Sequence, residues 1–198
     1  MDAHQADQWF NREDWALDEL DRITFERCRF DEIDLTEATL SGCSFLECEL
    51  SNVKLNAATL ARCAILQSRV RRSSFFDATL EDCKLTGTTF AECELRPLTV
   101  RGGDWSFVIL RGENLTDVKL PKVRLREADF TEADLTRCDL RGADLSYAHL
   151  HHAVLRDADL RGADLAGVRL HELDLKGVRI DLAQAGQVAA AYGAVVEP

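Results

Sequence analysis

The chain has 198 residues, 46% of them hydrophobic and 30% charged, with a formal charge of −11 at neutral pH. That balance argues against a protein that grips nucleic-acid phosphates directly, which needs a surplus of Lys and Arg, and it suits a basic partner or one built to hold DNA. No run reaches the roughly 18 apolar residues of a membrane span, and MDAHQADQWFNREDW lacks the basic and apolar segments of a secretory signal, so a cytoplasmic, non-membrane protein is expected.

Residues 1–19 read as an N-terminal cap. Phe10 and Trp15 fall on the spacing used by the rest of the chain, but Gln8, Glu13 and Asp18 stand where that spacing needs small residues. A charged side chain facing a core without a partner is costly, so this stretch is expected to cover the first coil with Trp9, Phe10 and Trp15. A solenoid needs such a cover because its open end exposes unpaired backbone.

From Leu20 to Ile180 a large apolar residue recurs at every fifth position without one insertion or deletion. The stretch over residues 128–165 shows the unit most clearly: ADF-TE-ADL-TR-CDL-RG-ADL-SY-AHL-HH-AVL-RD-ADL-RG-ADL. Each unit has an apolar centre, a small residue two places earlier, usually Asp between them, and two polar or Gly residues afterwards. Five fits neither a helix nor a plain strand, and it does fit a strand–turn unit with only the centre and small residues inward. Glycines such as Gly42, Gly142 and Gly162 fall two places after a centre, where a type II turn demands positive φ.

Along residues 20–95 the centres include Phe25, Phe30, Phe45, Phe75 and Phe90, expected to stack in columns. All seven cysteines take the small inward position, where they act as slightly larger alanines, and no C-x-x-C pair suggests a metal. Residues 96–121 are less tidy. Pro97 removes an amide donor, Gly103 and Leu98 replace the usual Ala or Cys, Trp105 is an oversized centre, and Glu113 is an acid at an inward position. That acid is expected to reach a basic or backbone partner; the alternative is a distorted face used for partner contact.

In residues 128–165 the residue before the centre is repeatedly Asp. Asp129, Asp134, Asp139 and Asp144 should take one face each of a single coil, with Asp159 and Asp164 stacked one coil further on and all pointing outward. His151 and His171 share a column, which reads as surface histidines rather than a metal site. After Ile180 the period changes. Asp181 can cap a helix in which Leu182, Ala185, Val188 and Tyr192 recur at helical spacing, with Gly193 as its stop. No phosphate-binding glycine loop or converging catalytic set occurs, so neither an enzyme nor a cofactor is expected.

The A-(D/N)-L-x-x unit resembles the pentapeptide-repeat proteins. That resemblance implies an all-β fold, a right-handed quadrilateral β-helix over residues 20–180 with four units per coil, followed by a short C-terminal helix. CELRPLTV (residues 93–100), RCDLRGADL (residues 137–145) and VRIDLAQAGQVAAAYG (residues 178–193) are similar to the mycobacterial fluoroquinolone-resistance branch of that family, related to the Qnr proteins that protect DNA gyrase. The unbroken register leaves no room for the loop insertions many Qnr relatives carry.

The resemblance implies a homodimeric acidic rod that imitates duplex DNA, binds and inhibits or modulates DNA gyrase, and so gives fluoroquinolone resistance. Asp134, Asp139, Asp144, Asp159 and Asp164 are then the expected phosphate stand-ins. Residues 181–198, with Val168, Leu173, Val178, Leu182, Val188 and Tyr192, are expected to join the two subunits. Two features read from the residues alone pull the other way: Asp is simply common at this position, and Arg141, Arg156 and Arg161 dilute the local field. The alternative is a β-helical scaffold that binds an unrelated protein.

Overall fold

A computed structural model describes residues 2–197. The chain winds as a right-handed, four-sided parallel β-helix in which strand partners lie twenty residues apart, as in Thr24↔Ser44 and Leu80↔Val100. Three faces of the N-terminal coils carry regular short strands, and the fourth is held by single bridges running Asp14↔Asp34↔Lys54↔Ser74↔Glu94. Beyond Arg101 the pairing continues as single bridges, for example Asp104↔Arg124↔Asp144↔Asp164 and Thr99↔Lys119↔Asp139↔Asp159↔Arg179.

The corners explain that change. In the later coils the amide of the small residue closes each turn onto the preceding centre, as from Ala133 to Phe130 (2.9 Å) and from Ala143 to Leu140 (3.1 Å). A closed corner leaves little extended backbone on the face. Most N-terminal corners are open; none has Ala at the small position, a few have Ile or Val, such as Ile33 and Val53, and the commonest residue there is Cys or Ser. Its side chain donates to the carbonyl two places earlier, as Cys48 Sγ does to Leu46 (3.3 Å) and Ser68 Oγ to Leu66 (2.9 Å). Cysteine is therefore more than a large alanine: its thiol adds a second donor to a corner carbonyl that already accepts a ladder amide, as Leu46 does from Arg27.

Corner geometry also calls for positive φ two residues after nearly every centre, Pro97 and Glu172 being exceptions. Glycine meets it at Gly42 (62°) and Gly142 (65°), but most corners use other residues, including Asp117 (64°) and Arg137 (56°). Packing of the centre column over-determines these conformations, each of which costs a non-glycine residue roughly 1 kcal/mol.

The interior is filled with side chains. Phe25, Phe30, Phe130, Leu140 and Leu160 are all buried, and Phe25 stacks on Phe45 with ring centroids 5.0 Å apart. At the N-terminal end His4–Ala6 and Trp9–Asn11 already pair in register with Thr24–Glu26 and Arg29–Asp31. Phe10 stacks on Phe30 at 5.1 Å, and the buried Trp15 ring lies 6.3 Å from Phe25, so these two rings cover the first coil. Trp9 does not: it occupies the outward place before the Phe10 centre and is 67% exposed.

Glu113 finds a backbone partner. It is buried, and its carboxylate accepts the Cys93 amide at 3.1 Å, one coil earlier. Burial pushes its carboxyl above the ordinary glutamate range, and the hydrogen-bonding amides only partly offset this. Among the described residues no helix is long and apolar enough to cross a membrane.

At the far end Asp181 caps helix α1 (Leu182–Ala191) in a capping box with Gln184. Gln184 does more than cap. Its Nε2 donates to the carbonyls of Leu160 (2.6 Å) and Ala163 (2.9 Å), and Asp181 Oδ2 accepts the Gly162 amide at 2.8 Å. The helix thus seals the last coil through polar side chains that satisfy its free backbone groups.

Candidate partner-binding surface

The unit's aspartate has a local structural cause. In each corner its Oδ1 accepts the amide two residues on: Asp134 from Thr136 (2.9 Å), Asp139 from Arg141 (3.2 Å), Asp144 from Ser146 (3.0 Å), Asp159 from Arg161 (3.3 Å) and Asp164 from Ala166 (2.9 Å). Asp is favoured there because this short carboxylate both braces the turn and tolerates water on its other oxygen.

Pairing then divides the five. Asp139 is gripped by Arg141 through Nε (2.8 Å) and the terminal nitrogen (2.7 Å), and Asp159 by Arg161 in the same way at 2.8 and 2.6 Å. These guanidinium bonds hold both carboxyls below the ordinary range, Asp159 at about 2. Asp159 is also buried, at 8% exposure, so it is not the fully outward side chain its place in the repeat suggests. Its neighbours on the stacked ladder, together with Arg161, cover it.

At Asp134 burial works against ionisation, but the Thr136 hydroxyl and amide prevail and lower its carboxyl. Asp144 additionally accepts the Ser146 hydroxyl at 2.6 Å. The arginine one coil below Asp144, Arg124, is taken by Asp104 at 2.7 Å, and among the described residues no ion pair engages Asp144 or Asp164. Asp134, on another face, has no ion pair either, but only Asp144 and Asp164 stack as unpaired carboxylates in one ladder column.

Charge is distributed unevenly along the rod. Residues 1–50 hold fourteen acids against four bases, and the remaining residues hold twenty-one against twenty, so nearly all of the net charge lies at the N-terminal end. The five aspartates sit in the near-neutral part.

The six expected interface residues also separate. Leu173 is buried, while Val168, Val178 and Val188 are half-buried against the core. Leu182 and Tyr192 are 89% and 65% exposed. The helix therefore lands by Gln184 and Val188 and leaves Leu182 on its outer side, while the Tyr192 ring is exposed but turns its hydroxyl back to the His171 carbonyl. His151 and His171 do not meet each other; both approach Glu172, at 3.6 and 3.8 Å.

Comparison with known proteins agrees with this geometry. A profile for the pentapeptide repeat region matches residues 18–82 and 73–148, and one for eight-copy pentapeptide repeats matches residues 143–180. No curated protein sequence matches the chain. Two trypsin-treated forms of QnrB1, a plasmid-mediated fluoroquinolone resistance protein, are similar in structure at 22% identity. One has a TM-score of 0.89 and covers 100% of both chains; the other has 0.87 over 98% of this chain and 97% of its own. Full-length QnrB1 has a TM-score of 0.67 at 22% identity, over 96% of this chain and 100% of its own. At that identity the likeness speaks for the fold. The unbroken five-residue period, the four-sided coil it builds and the matches over residues 18–180 together show that the chain belongs to the pentapeptide-repeat family.

Proposed function

We propose that this protein is a non-enzymatic DNA mimic that occupies a DNA-binding surface of gyrase, inhibiting or modulating the enzyme and giving fluoroquinolone resistance. The observation that carries the reading is the regular stack of carboxylates on a rigid rod, with Asp144 and Asp164 one coil apart and without ion pairs. At the strand spacing of about 4.8 Å such a column presents negative charge at fixed intervals to a groove that expects phosphates. The fluoroquinolone resistance protein QnrB1, alike in fold along its whole length, supports the choice of gyrase as partner.

Asp134 and the Asp139–Asp159 column lie on other faces of the same rod, the latter two with their charge largely answered by Arg141 and Arg161. The acidic N-terminal coils supply the long-range attraction toward a basic groove. The active form is a homodimer joined through the C-terminal end, with Leu182 and Tyr192 as its apolar contacts. A cytoplasmic protein fits that partner.

A second reading, a scaffold for an unrelated protein, is favoured by one observation: the arginine pairs at Asp139 and Asp159 make those positions stabilising features of the coil. A supercoiling assay with purified gyrase, run across salt concentrations and with and without a fluoroquinolone, tests the choice. Mimicry predicts inhibition that weakens as salt rises, because exposed charges are screened beyond about 8 Å at physiological ionic strength. No effect on supercoiling favours the scaffold.

A further inference from the structure

The last coil leaves the ladder on two adjacent faces. In the preceding coils the amide of each centre residue donates to the carbonyl nineteen places on, as from Leu135 to Val154, Leu140 to Asp159 and Leu145 to Asp164. The residue two places after the centre does the same, as from Arg137 to Arg156 and Tyr147 to Ala166. Continued one coil further, Leu150, His152, Leu155 and Asp157 should donate to Arg169, His171, Asp174 and Lys176. Among the described residues none of these four bonds is made, and the bridges that resume at Asp159↔Arg179 skip His149 and Val154.

Leu150 and Leu155 are buried, at 3% and 2% exposure, so their free amides are unusual. Clefts of about 470 and 290 Å³ open where the coils have parted, one bounded by His149, Leu150 and Arg169, the other by Val154, Leu155 and Asp174.

Two of the four missing acceptors are engaged elsewhere. The Arg169 carbonyl accepts the Glu172 amide at 3.0 Å, within the single 3-10 turn among the described residues, Leu170–Glu172. The His171 carbonyl accepts the hydroxyl of Tyr192, on the tail helix, at 3.4 Å. The carbonyl that would complete the ladder at His152 is thus the one Tyr192 holds. The register itself is intact, since Leu170 and Leu173 stay buried at their repeat positions and Glu172 still reaches back to His151.

We propose that residues 168–176 form a two-state strap, latched open by the Tyr192 hydroxyl and closing onto the penultimate coil when that latch is released. In the closed state the carbonyls of Arg169, His171, Asp174 and Lys176 take up the amides of Leu150, His152, Leu155 and Asp157. The 3-10 turn unwinds, both clefts vanish and the rod becomes continuous to its end. The two states exclude each other because Glu172 lacks the positive φ that its ladder equivalents Glu132 (61°) and His152 (56°) take, so the backbone must turn over to close. This inference does not depend on the identity of the partner.

Amide hydrogen exchange on the full chain, resolved by residue, tests it. In the native protein the four amides should exchange faster than their ladder equivalents at Leu135, Arg137, Leu140 and Leu145. Tyr192→Phe removes the latching hydroxyl and keeps the ring. It should slow exchange at all four sites together, by roughly three- to tenfold, the worth of one competing hydrogen bond. Tyr192→Ala, which also removes the ring, should shift them in the same direction. Ladder-like protection in the native protein, or unchanged exchange in both folded variants, would overturn the proposal.

Discussion

Asp159 and Arg161 form a two-bonded ion pair at 2.8 and 2.6 Å in which the acid is buried and the base exposed. Two residues apart in one repeat unit, they hold one corner rigid: the same carboxylate takes the arginine's amide and its guanidinium. Asp139 and Arg141 repeat the arrangement one coil earlier. Where the unit places an arginine two residues after the aspartate, the acid is tied to it; where it places Ser or Ala, the acid is free unless an arginine one coil away takes it, as Arg124 takes Asp104.

Asp159→Asn should therefore lower stability at neutral pH. The depressed folded carboxyl, at about 2 against an ordinary 3.8, contributes stability above the unfolded value that is lost as pH falls through the folded one. With screening by water around Arg161, the loss should be about 1 kcal/mol. Urea denaturation should show it at pH 7, and the gap between variant and native protein should narrow toward pH 2. A constant gap across that range would remove the ion pair from the account.

Glu113→Gln should act with the opposite sign. The folded carboxyl is raised, so ionising the buried acid costs stability as pH rises through its folded value, a cost absent below the ordinary value of 4.5. The amide keeps an oxygen for the Cys93 amide and carries no charge. The variant should gain on the native protein between pH 4 and pH 8 in thermal melts. A loss that grows with pH would mean that the charge itself is needed there.

Gly103→Ala tests how closely the coils approach in the irregular middle. A Cβ there would come within 2.3 Å of the Cys83 carbonyl oxygen, at a φ of 106°. The backbone of the coil below cannot yield as a side-chain tip can, so about 2 kcal/mol or more should be lost in chemical denaturation. Leu140→Ala, at a fully buried centre, should cost about 2–5 kcal/mol in the same assay.

Leu182→Asp addresses assembly. The residue is 89% exposed at the first position of α1, where an acid suits the helix end and disturbs no contact within the chain. Light scattering should report a dimer for the native chain and a monomer for the variant. A variant that remains dimeric would place the interface elsewhere.

The coil was legible in the sequence because one period fixed everything that points inward: 33 successive apolar centres set the register, the coil length and the core. Some local detail was legible but passed over. Ala occurs only at closed corners, although closed corners also take other residues, such as Cys138 and Val118. The candidate surface was harder to read. Asp occupies the same place whether its carboxylate is free, as at Asp144, or tied to an arginine, as at Asp139, and telling them apart needs both the residue two places on and the one a coil away. The tail misled in another way. Its apolar periodicity draws the eye to Leu182, Ala185, Val188 and Tyr192, but the buried contact with the coil is Gln184, because the end of a solenoid offers carbonyls that a polar side chain can satisfy.

The central claim is that free carboxylates on this rod stand in for DNA phosphates. Gyrase supercoiling, titrated with the native protein and with Asp144→Asn/Asp164→Asn, tests it most directly. Neither acid has an ion pair to lose, and Asn can still accept the turn amides, so circular dichroism and melting should be nearly unchanged. The account predicts inhibition by the native protein and a severalfold weaker effect from the folded double variant. Equal inhibition by the two proteins would contradict it.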